Sequence, residues 1–293
     1  MQHAFSVFNS NTQQLQHYTA PVPLEEGEDR PFGITWDQDN LYIATPRRIL
    51  VFDKHFKYQR TLLDNLTPGI HQILLYDERL WMVSPRLNCV KIYSFKDGSM
   101  KYFLPEEQIV QTTKPKQKPI PGRTKYIYDL HHFNSILIKK DKLYISAHNF
   151  DKPSYVMVFG YPDLKLKYRI RLGKKIHCIG DDDAMYVCDS SGSRCVISDR
   201  GHKIAMGADS KDFLRGMVIT SSHICATHFP FQVERAERHN GNSYLTVLDR
   251  SNSQRVQYPL KNVGNVNDLR VLDEYDFAHG IGVFCIDKSK KEG

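Results

Sequence analysis

The sequence predicts an all-β fold, a six-bladed β-propeller in which four-stranded antiparallel blades surround a central channel. Short alternating apolar runs joined by polar turns recur along the whole chain, and no convincing long helix interrupts them. Apart from evident insertions, successive hairpins are spaced like the blades of a propeller, which repeat every ~40–50 residues. Two separate β-sandwich domains would not explain six similar hairpins. We therefore expect residues 1–293 to form a single propeller domain.

The first elements along the chain are the runs "AFSVFN" and "LQHYTA", which precede the first complete hairpin. We expect these two strands to complete the last blade and so close the ring. A closed ring leaves no exposed strand edge that another chain could pair with.

Six hairpins follow in order, and each has a strand, a tight polar turn and a second strand. They are "GITWDQDNLYIATP", "HQILLYDERLWMVSP", "NSILIKKDKLYISAH", "HCIGDDDAMYVCDS", "RGMVITSSHICATH" and "NDLRVLDEYDFAHG". A third strand follows each hairpin, as in "RILVFDK" and "IGVFCID", and a more polar fourth strand often comes next. Insertions are predicted at 105–130 and 228–241, both on the face of the channel mouth.

Composition limits the class of protein. No stretch approaches 18 uninterrupted apolar residues, and the N-terminus lacks the basic and apolar regions of a signal peptide. The six cysteines form no C-x-x-C pair, so we interpret them as reduced thiols and expect a cytoplasmic protein. The net charge of +7 is spread along the chain, which argues against nucleic-acid binding.

Polar residues converge on one face of the predicted channel. In an antiparallel hairpin, the start of the first strand and the end of the second strand lie at the same end. The first strands open with Gly33, His71, His132, Asn134, His177, Arg215, Asn267 and Asp268. The second strands end near Thr45, Ser84, His148, Asp189, His228 and His279. These side chains should therefore surround one channel mouth.

Histidines from consecutive blades suggest a metal site. Neutral imidazole nitrogens suit zinc, iron or copper, and we expect His71, His132 and His177 to bind one divalent transition metal. His148 and His228 are candidate catalytic groups that move protons or replace a ligand. The alternative interpretation is that polar channel residues only hold water.

Two further predictions concern charge and oxygen ligands. Arg215 would face the histidines as a catalytic group and bind a carboxylate or phosphate of the substrate, although it would serve equally well as a brace between blades. Asn134, Asn267 and Asp268 offer hard oxygen atoms, which makes a Ca²⁺ or Mg²⁺ site the second choice.

The segment "PFGITWDQDNLYIATPRRILVFD" resembles a blade of the NHL type. The chain as a whole is similar to the six-bladed propellers of the NHL, SMP-30/gluconolactonase and peptidyl-hydroxyglycine lyase group. Resemblance to the lyases implies a zinc ion held by three channel histidines, which here would be His71, His132 and His177. Resemblance to the lactonases implies a divalent metal among Asn134, Asn267 and Asp268.

Two functions are compatible with these patterns. The first is a metal-dependent enzyme, a hydrolase, lyase or oxidoreductase, that acts on a small anionic molecule at the channel mouth. The second is a non-catalytic scaffold whose top face binds a peptide or protein. The basic, proline-containing segment 111–126 is expected to be either a lid or anion-attracting rim, or simply a solvated loop. The apolar "FPF" at 229–231 is expected to be exposed near the same mouth.

Overall fold

A computed structural model describes residues 4–21, 30–66, 69–111, 129–207, 212–230 and 241–284 of the chain. The strands come in consecutive antiparallel groups, and each group forms a sheet whose order follows the sequence. The described residues contain no helix that is long and apolar enough to span a membrane.

The N-terminal hairpin and the first two blades have the following strands. The hairpin pairs β1 (Phe5–Asn9) with β2 (Gln14–Tyr18). Blade one contains β3 (Gly33–Trp36), β4 (Asn40–Ala44), β5 (Ile49–Asp53) and β6 (Tyr58–Leu63). Blade two contains β7 (Ile73–Tyr76), β8 (Arg79–Ser84), β9 (Cys89–Ser94), β10 (Met100–Leu104) and β11 (Ile109–Gln111), with a short 3₁₀ helix at Pro85–Leu87.

Three further blades follow. Blade three contains β12 (Phe133–Lys139), β13 (Lys142–Ala147), β14 (Tyr155–Gly160) and β15 (Leu166–Arg171). Blade four contains β16 (Ile176–Asp181), β17 (Met185–Asp189), β18 (Cys195–Ser198) and β19 (Lys203–Ala205). Blade five contains β20 (Asp212–Ile219), β21 (His223–Pro230), β22 (Ser243–Asp249) and β23 (Arg255–Leu260).

The first strand of each blade is the inner one. Strand β3 contacts β7, β7 contacts β12, β12 contacts β16, and β16 contacts β20. Apolar side chains from neighbouring blades interdigitate between the sheets; for example, Tyr42 of blade one packs with Met82 of blade two. Outer strands such as β15 and β23 are largely exposed, as their polar sequences predict. This arrangement places the start of every inner strand around one channel.

The described part of the chain forms five regular blades, so the prediction of six is corrected. The run "NDLRVLDEYDFAHG" does not form the sixth hairpin, because residues 264–284 contain only an isolated bridge between Asp276 and Ile281. Hydrogen bonds to Ile219 of blade five and to Trp36 of blade one place this segment between those two blades. Phe277 N–H donates to the Ile219 carbonyl (2.7 Å), and the Trp36 indole donates to the carbonyl of Gly282 (3.0 Å).

Side-chain hydrogen bonds replace a strand ladder in this sector. The Asp268 carboxylate accepts the Ile34 N–H of blade one at 3.1 Å. The Asp276 carboxylate accepts the Ala278 N–H at 2.9 Å and pairs with His279. Buried backbone groups need partners, and these carboxylates supply them within an irregular path. The alternating pattern of the sequence therefore marks a buried segment here, not a hairpin.

The N-terminal strands exist, but they form a sheet of their own. Phe5 packs against Phe52 and Phe56 (ring centroids 5.0 and 5.5 Å), while Phe8 packs against Tyr258 of β23 (5.2 Å). The hairpin thus bridges blade one and the outermost strand of blade five by aromatic packing. The described residues provide no backbone ladder from it to the C-terminal segment.

The boundaries of the insertions also differ from the predictions. Residues 109–111 form strand β11, and residues 228–230 end strand β21. Phe229 is 5% exposed and contacts Phe213, so the expectation of an exposed apolar patch is wrong for this residue. Most of the basic segment, residues 112–126, lies outside the described residues, and so does the stretch 231–240.

Candidate functional site

Four imidazoles form an arc at one end of the channel. The ring centroids are 5.1 Å apart for His71 and His132, 5.0 Å for His132 and His148, and 5.3 Å for His148 and His177. Each neighbouring pair meets edge to face. Phe32 stacks on His71 at one end of the arc, and Phe213 contacts His177 at the other.

Antiparallel pairing brings these residues together. His132 precedes β12 and His148 follows β13, and the N–H of His148 donates to the carbonyl of His132 (3.2 Å). His71 precedes β7, and its N–H donates to the Val83 carbonyl (2.9 Å). His177 is the second residue of β16. Because each position lies at the same end of an inner hairpin, the side chains converge although they are distant in sequence.

Three of these imidazoles, those of His71, His148 and His177, have a lowered pKa and are neutral at physiological pH. Burial lowers the pKa of His71 and His177 well below the ordinary value, and neighbouring imidazoles and the Arg215 guanidinium lower it further. Burial likewise lowers the pKa of His148 to about 2. Desolvation disfavours the charged form of a base. These histidines therefore present neutral nitrogens as hydrogen-bonding groups or ligands.

Hydrogen bonds assign the tautomers. The Ser190 hydroxyl donates to the Leu214 carbonyl (2.5 Å), so its oxygen accepts from Nδ1 of His177 (2.9 Å). Nε2 of His177 then carries a lone pair, and it is buried without a partner among the described residues. Nδ1 of His132 pairs with the Asp129 carboxylate (2.7 Å), which also leaves Nε2 unprotonated in the neutral ring.

His148 has the opposite tautomer. Its Nδ1 accepts the backbone N–H of Phe150 at 3.1 Å, so the ring proton resides on Nε2. A nitrogen that carries a proton is a donor and not a metal ligand. In this arrangement His148 suits a hydrogen bond to a substrate oxygen.

Arg215 brings positive charge to a cavity at this end of the channel. The cavity is lined by Phe32, His71, Gln72, Asn134, Ser135, His177, Cys178, Arg215, Asn267 and Asp268. Nη1 of Arg215 donates to Oδ1 of Asn267, and Nδ2 of Asn267 donates to the Pro31 carbonyl (2.9 Å). The guanidinium also lies 6.0 Å from the ring centroid of Phe213. Arg215 therefore braces the closure of the ring and faces the imidazoles.

The three predicted metal ligands are spread along the arc. Among the described residues, the only three ligand-type side chains whose atoms all lie within 4.8 Å of one another are Cys178, Asp268 and His279. His71 and His177 line the cavity but His132 does not, and the His148 ring contacts both His132 and His177 and lies between them. The metal site of His71, His132 and His177 stays a prediction.

The predicted oxygen ligands have other partners. Asn134 donates from Nδ2 to the Ile176 carbonyl (2.8 Å), and its Oδ1 accepts from the Ser146 hydroxyl (2.6 Å). Asn267 and Asp268 bond to Arg215 and to the Ile34 N–H, as described above. These contacts hold neighbouring strands together and do not favour a Ca²⁺ or Mg²⁺ site.

His228 has a separate environment. Its ring is buried, with Nδ1 2.8 Å from Oδ2 of Asp212 and Nε2 3.0 Å from the Thr246 hydroxyl. It stacks on Tyr244, with a centroid distance of 5.5 Å. These partners belong to blade five itself, and His228 does not line the cavity described above. A catalytic role for His228 stays a prediction that this geometry does not favour.

A cluster of Cys178, Asp268 and His279 next to the cavity was not predicted from the sequence. Cys178 is the extra residue of a β-bulge between His177 and Ile179, and its φ is 53°. Its thiol donates to the Arg215 carbonyl (2.8 Å). His279 lies beside it, with Nδ1 2.6 Å from Oδ2 of Asp276. Residues from blade four and the C-terminal segment meet here, and no spacing in the sequence connects them.

The protonation of this cluster reflects its mixed charges. A hydrogen bond with the Cys188 thiol, together with His279, lowers the pKa of Cys178 although burial opposes this. Burial and the Arg270 guanidinium oppose protonation of His279, but the Asp276 carboxylate outweighs them and raises its pKa. Nη1 of Arg270 donates to Nε2 of His279 (2.7 Å) and to Asp268. Since Arg270 bridges these two residues, its cation takes the place that a metal would need.

Comparisons with solved structures agree with the fold. A chain of the nidogen/laminin complex superposes with a TM-score of 0.56, at 10% identity over 85% of each chain. The WD40 domain of Neurospora crassa Pan2 gives a TM-score of 0.50, at 9% identity over 85% of this chain and 71% of that one. No family model and no curated protein match the chain.

The fold and these likenesses define the class of protein. The chain is an all-β propeller with four-stranded antiparallel blades. At such low identities the likeness extends to the fold alone, and a propeller fold does not determine a function.

Proposed function

We propose that the protein is an enzyme that acts on a small anionic molecule at the mouth of its channel. One observation carries the proposal: four imidazoles form a continuous arc at the channel mouth, and two of them, His71 and His177, line one cavity together with Arg215. Desolvated imidazoles are costly, and ring closure does not require four of them. Clusters of titratable groups with perturbed pKa values are typical of active sites.

The charge at the mouth favours an anion. Arg215 lines the same cavity as His71 and His177, and its positive charge lowers the pKa of His71, His148 and His177. The positive charge of Arg86 also lowers the pKa of His71, and that of Lys175 also lowers the pKa of His148. A carboxylate or phosphate would gain from this field and from the planar fork of an arginine.

Acid–base groups are arranged beside the anion site. His132, held by Asp129, presents an unprotonated Nε2 that suits a general base. His148 presents an N–H that suits a donor to a developing negative charge. Asp129 orients the base, as a carboxylate does in other His–Asp pairs. The pair therefore supports proton transfer to and from a substrate.

A metal-dependent form of this enzyme is the second candidate. His132 and His177 each direct Nδ1 to an oxygen partner and leave Nε2 available, which is the arrangement of histidine ligands. With His71 they would hold zinc, iron or copper, and the metal would polarise a substrate oxygen or activate water. Metal analysis of the purified protein, before and after reconstitution, tests this candidate. Stoichiometric metal that His177→Ala abolishes would support it, and absence of metal would exclude it.

Anion binding provides the direct test of the first candidate. We expect succinate or inorganic phosphate, at constant ionic strength, to raise the melting temperature in a saturable way. Arg215→Gln should remove the effect, and Arg215→Lys should retain part of it. Arg255→Gln is the matched control, because Arg255 is exposed on β23 and bonds to the Ala205 carbonyl.

The same melting-temperature assay can also contradict the proposal. No saturable shift with any anion, or an equal shift in wild type and Arg215→Gln, would contradict it. The scaffold function would then be the better account. Leu130 and Phe150, which are 65% and 41% exposed beside the histidines, would be its contact residues.

A further inference from the structure

We propose that Cys178 is a nucleophilic thiol that forms a covalent acyl-enzyme with a small ester or thioester in the channel. His279 and Asp276 complete a thiol–imidazole–carboxylate arrangement with it. The proposal rests on the proposed function, because the channel mouth must first bind the anionic part of the substrate. It adds a reaction class, acyl transfer, and assigns the bond-forming atom.

The geometry places the three groups in sequence. A ligand-type nitrogen of His279 lies within 4.8 Å of the Cys178 sulfur. Nδ1 of the same ring is 2.6 Å from Oδ2 of Asp276, so the nitrogen available to the thiol is Nε2. Asp276 also accepts the N–H of Ala278, which fixes the orientation of its carboxylate. A nucleophile, a base and a group that orients the base are the parts of such a triad.

The bulge directs the thiol towards the channel. An extra residue in a β-ladder re-aims its side chain, and bulges are enriched next to active sites. Cys178 has a positive φ of 53°, a conformation that costs free energy for a residue with a side chain. The cavity that contains His71, His177 and Arg215 is also lined by Cys178. A small acyl group held by Arg215 would therefore lie next to the sulfur.

Arg270 regulates access to the base and offers further donors. Its Nη1 donates to Nε2 of His279 at 2.7 Å in the resting arrangement. Nη1 of Arg270 must move aside, and the Cys178 thiol must turn its proton away from the Arg215 carbonyl, before that proton can reach His279. Nη1 can keep its bonds to Asp268 and the Leu269 carbonyl. Nε and Nη2 of Arg270 are buried without a partner among the described residues. They are candidate donors for an oxyanion.

The reaction balances without a further reactant except water. The thiol proton passes to Nε2 of His279, and the sulfur attacks the carbonyl carbon to give a tetrahedral oxyanion. Collapse breaks the bond to the leaving oxygen or sulfur, which takes the proton from His279, and a thioester remains on Cys178. Water then loses a proton to His279 and attacks the thioester carbon; collapse breaks the carbon–sulfur bond, and the sulfur takes the proton back from His279. The products are the carboxylic acid and the restored thiol.

An activated anionic ester tests the proposal. Wild-type protein is treated with mono-para-nitrophenyl succinate, and peptides are mapped by mass spectrometry. We expect one succinyl group on Cys178 and a burst of nitrophenolate. Cys178→Ser should abolish both, whereas Cys195→Ser should retain them, since Cys195 lies on β18 and bonds to the Ser193 carbonyl. His279→Gln should slow acylation about 100-fold, the usual contribution of a general base.

The outcomes separate this inference from the proposed function. If succinate stabilises the protein but the ester leaves Cys178 unmodified, the thiol inference is wrong and the anion site stands. If Cys178 is acylated no faster than Cys195 and succinate has no effect, both are wrong. Peptide mapping of the wild-type protein decides even if a variant fails to fold.

Discussion

At the scale of single residues, the buried imidazoles of the channel mouth make stability depend on pH. Free histidines in the unfolded chain take up protons as the pH falls below about 6.5. In the folded protein, burial keeps the pKa of His71, His148 and His177 lower, so these rings stay neutral. The unfolded state then binds more protons than the folded state. Stability present at neutral pH is therefore lost as the pH falls from about 6.5.

We expect urea unfolding to reveal this loss between about pH 7.5 and about pH 5.5. Each such histidine should contribute about 1 kcal/mol over this interval. His148→Gln should reduce the pH-dependent loss by about that amount, because the glutamine does not titrate. His202→Gln is the control, since His202 is exposed near the outer strand of blade four. Equal pH dependence in wild type and His148→Gln would contradict the prediction.

At the scale of elements, one carboxylate organises the turns at the mouth end of blade four. Asp189 ends β17 and is 4% exposed. Its Oδ1 accepts the N–H groups of Lys174 (2.7 Å) and Gly192 (3.1 Å), and its Oδ2 accepts the N–H of Ser193 (2.6 Å). The carboxylate thus joins the approach to β16 with the turn after β17. These are the segments that position His177 and Ser190.

Asp189→Ala should lower the free energy of unfolding by about 1–3 kcal/mol, because three partly buried N–H groups lose the buried carboxylate that accepts them. Asp97→Ala is the matched control: Asp97 also accepts a turn N–H, that of Ser99 at 3.0 Å, but it is exposed to water. Water can replace an exposed carboxylate, so the control should cost much less. Chemical denaturation of both variants measures the difference. Similar losses would mean that burial does not decide the contribution of this side chain.

At the scale of the whole molecule, ring closure depends on close contact between blade five and the C-terminal segment. A Cβ atom at Gly216 would lie 2.8 Å from Cβ of Leu269 and 2.8 Å from the Thr227 hydroxyl oxygen. Such distances require the segment to move away from β20. Because that segment also carries Asn267 and Asp268, its displacement would disturb Arg215 and the contact with blade one.

Gly216→Ala should therefore destabilise the fold by about 1–3 kcal/mol, as overpacking does in other cores. Gly282→Ala offers a control in the C-terminal segment itself, because a Cβ atom there would meet nothing within 4 Å. We expect the melting temperature to fall for the first variant and to change little for the second. A neutral Gly216→Ala would show that the closure tolerates displacement.

The sequence by itself determined the class of fold and the general position of the candidate site. Alternating apolar residues and short polar turns specify antiparallel hairpins locally, because side chains on a strand alternate between its two faces. Once the hairpins are known, antiparallel pairing requires the ends that carry His132 and His148 to share one face. The same rule placed His71, His177 and Arg215 around one channel mouth.

Only the tertiary structure decided the number of regular blades and the chemistry of individual side chains. The segment 264–284 has the apolar pattern of a hairpin, yet Asp268 and Asp276 satisfy its backbone through side-chain bonds. The bulge at Cys178 shifts the register of β16 and brings a thiol to a histidine from the far end of the chain. Tautomers depend on partners such as Asp129, Ser190 and the Phe150 N–H. Such contacts join residues that are distant in sequence, and a local pattern contains no information about them.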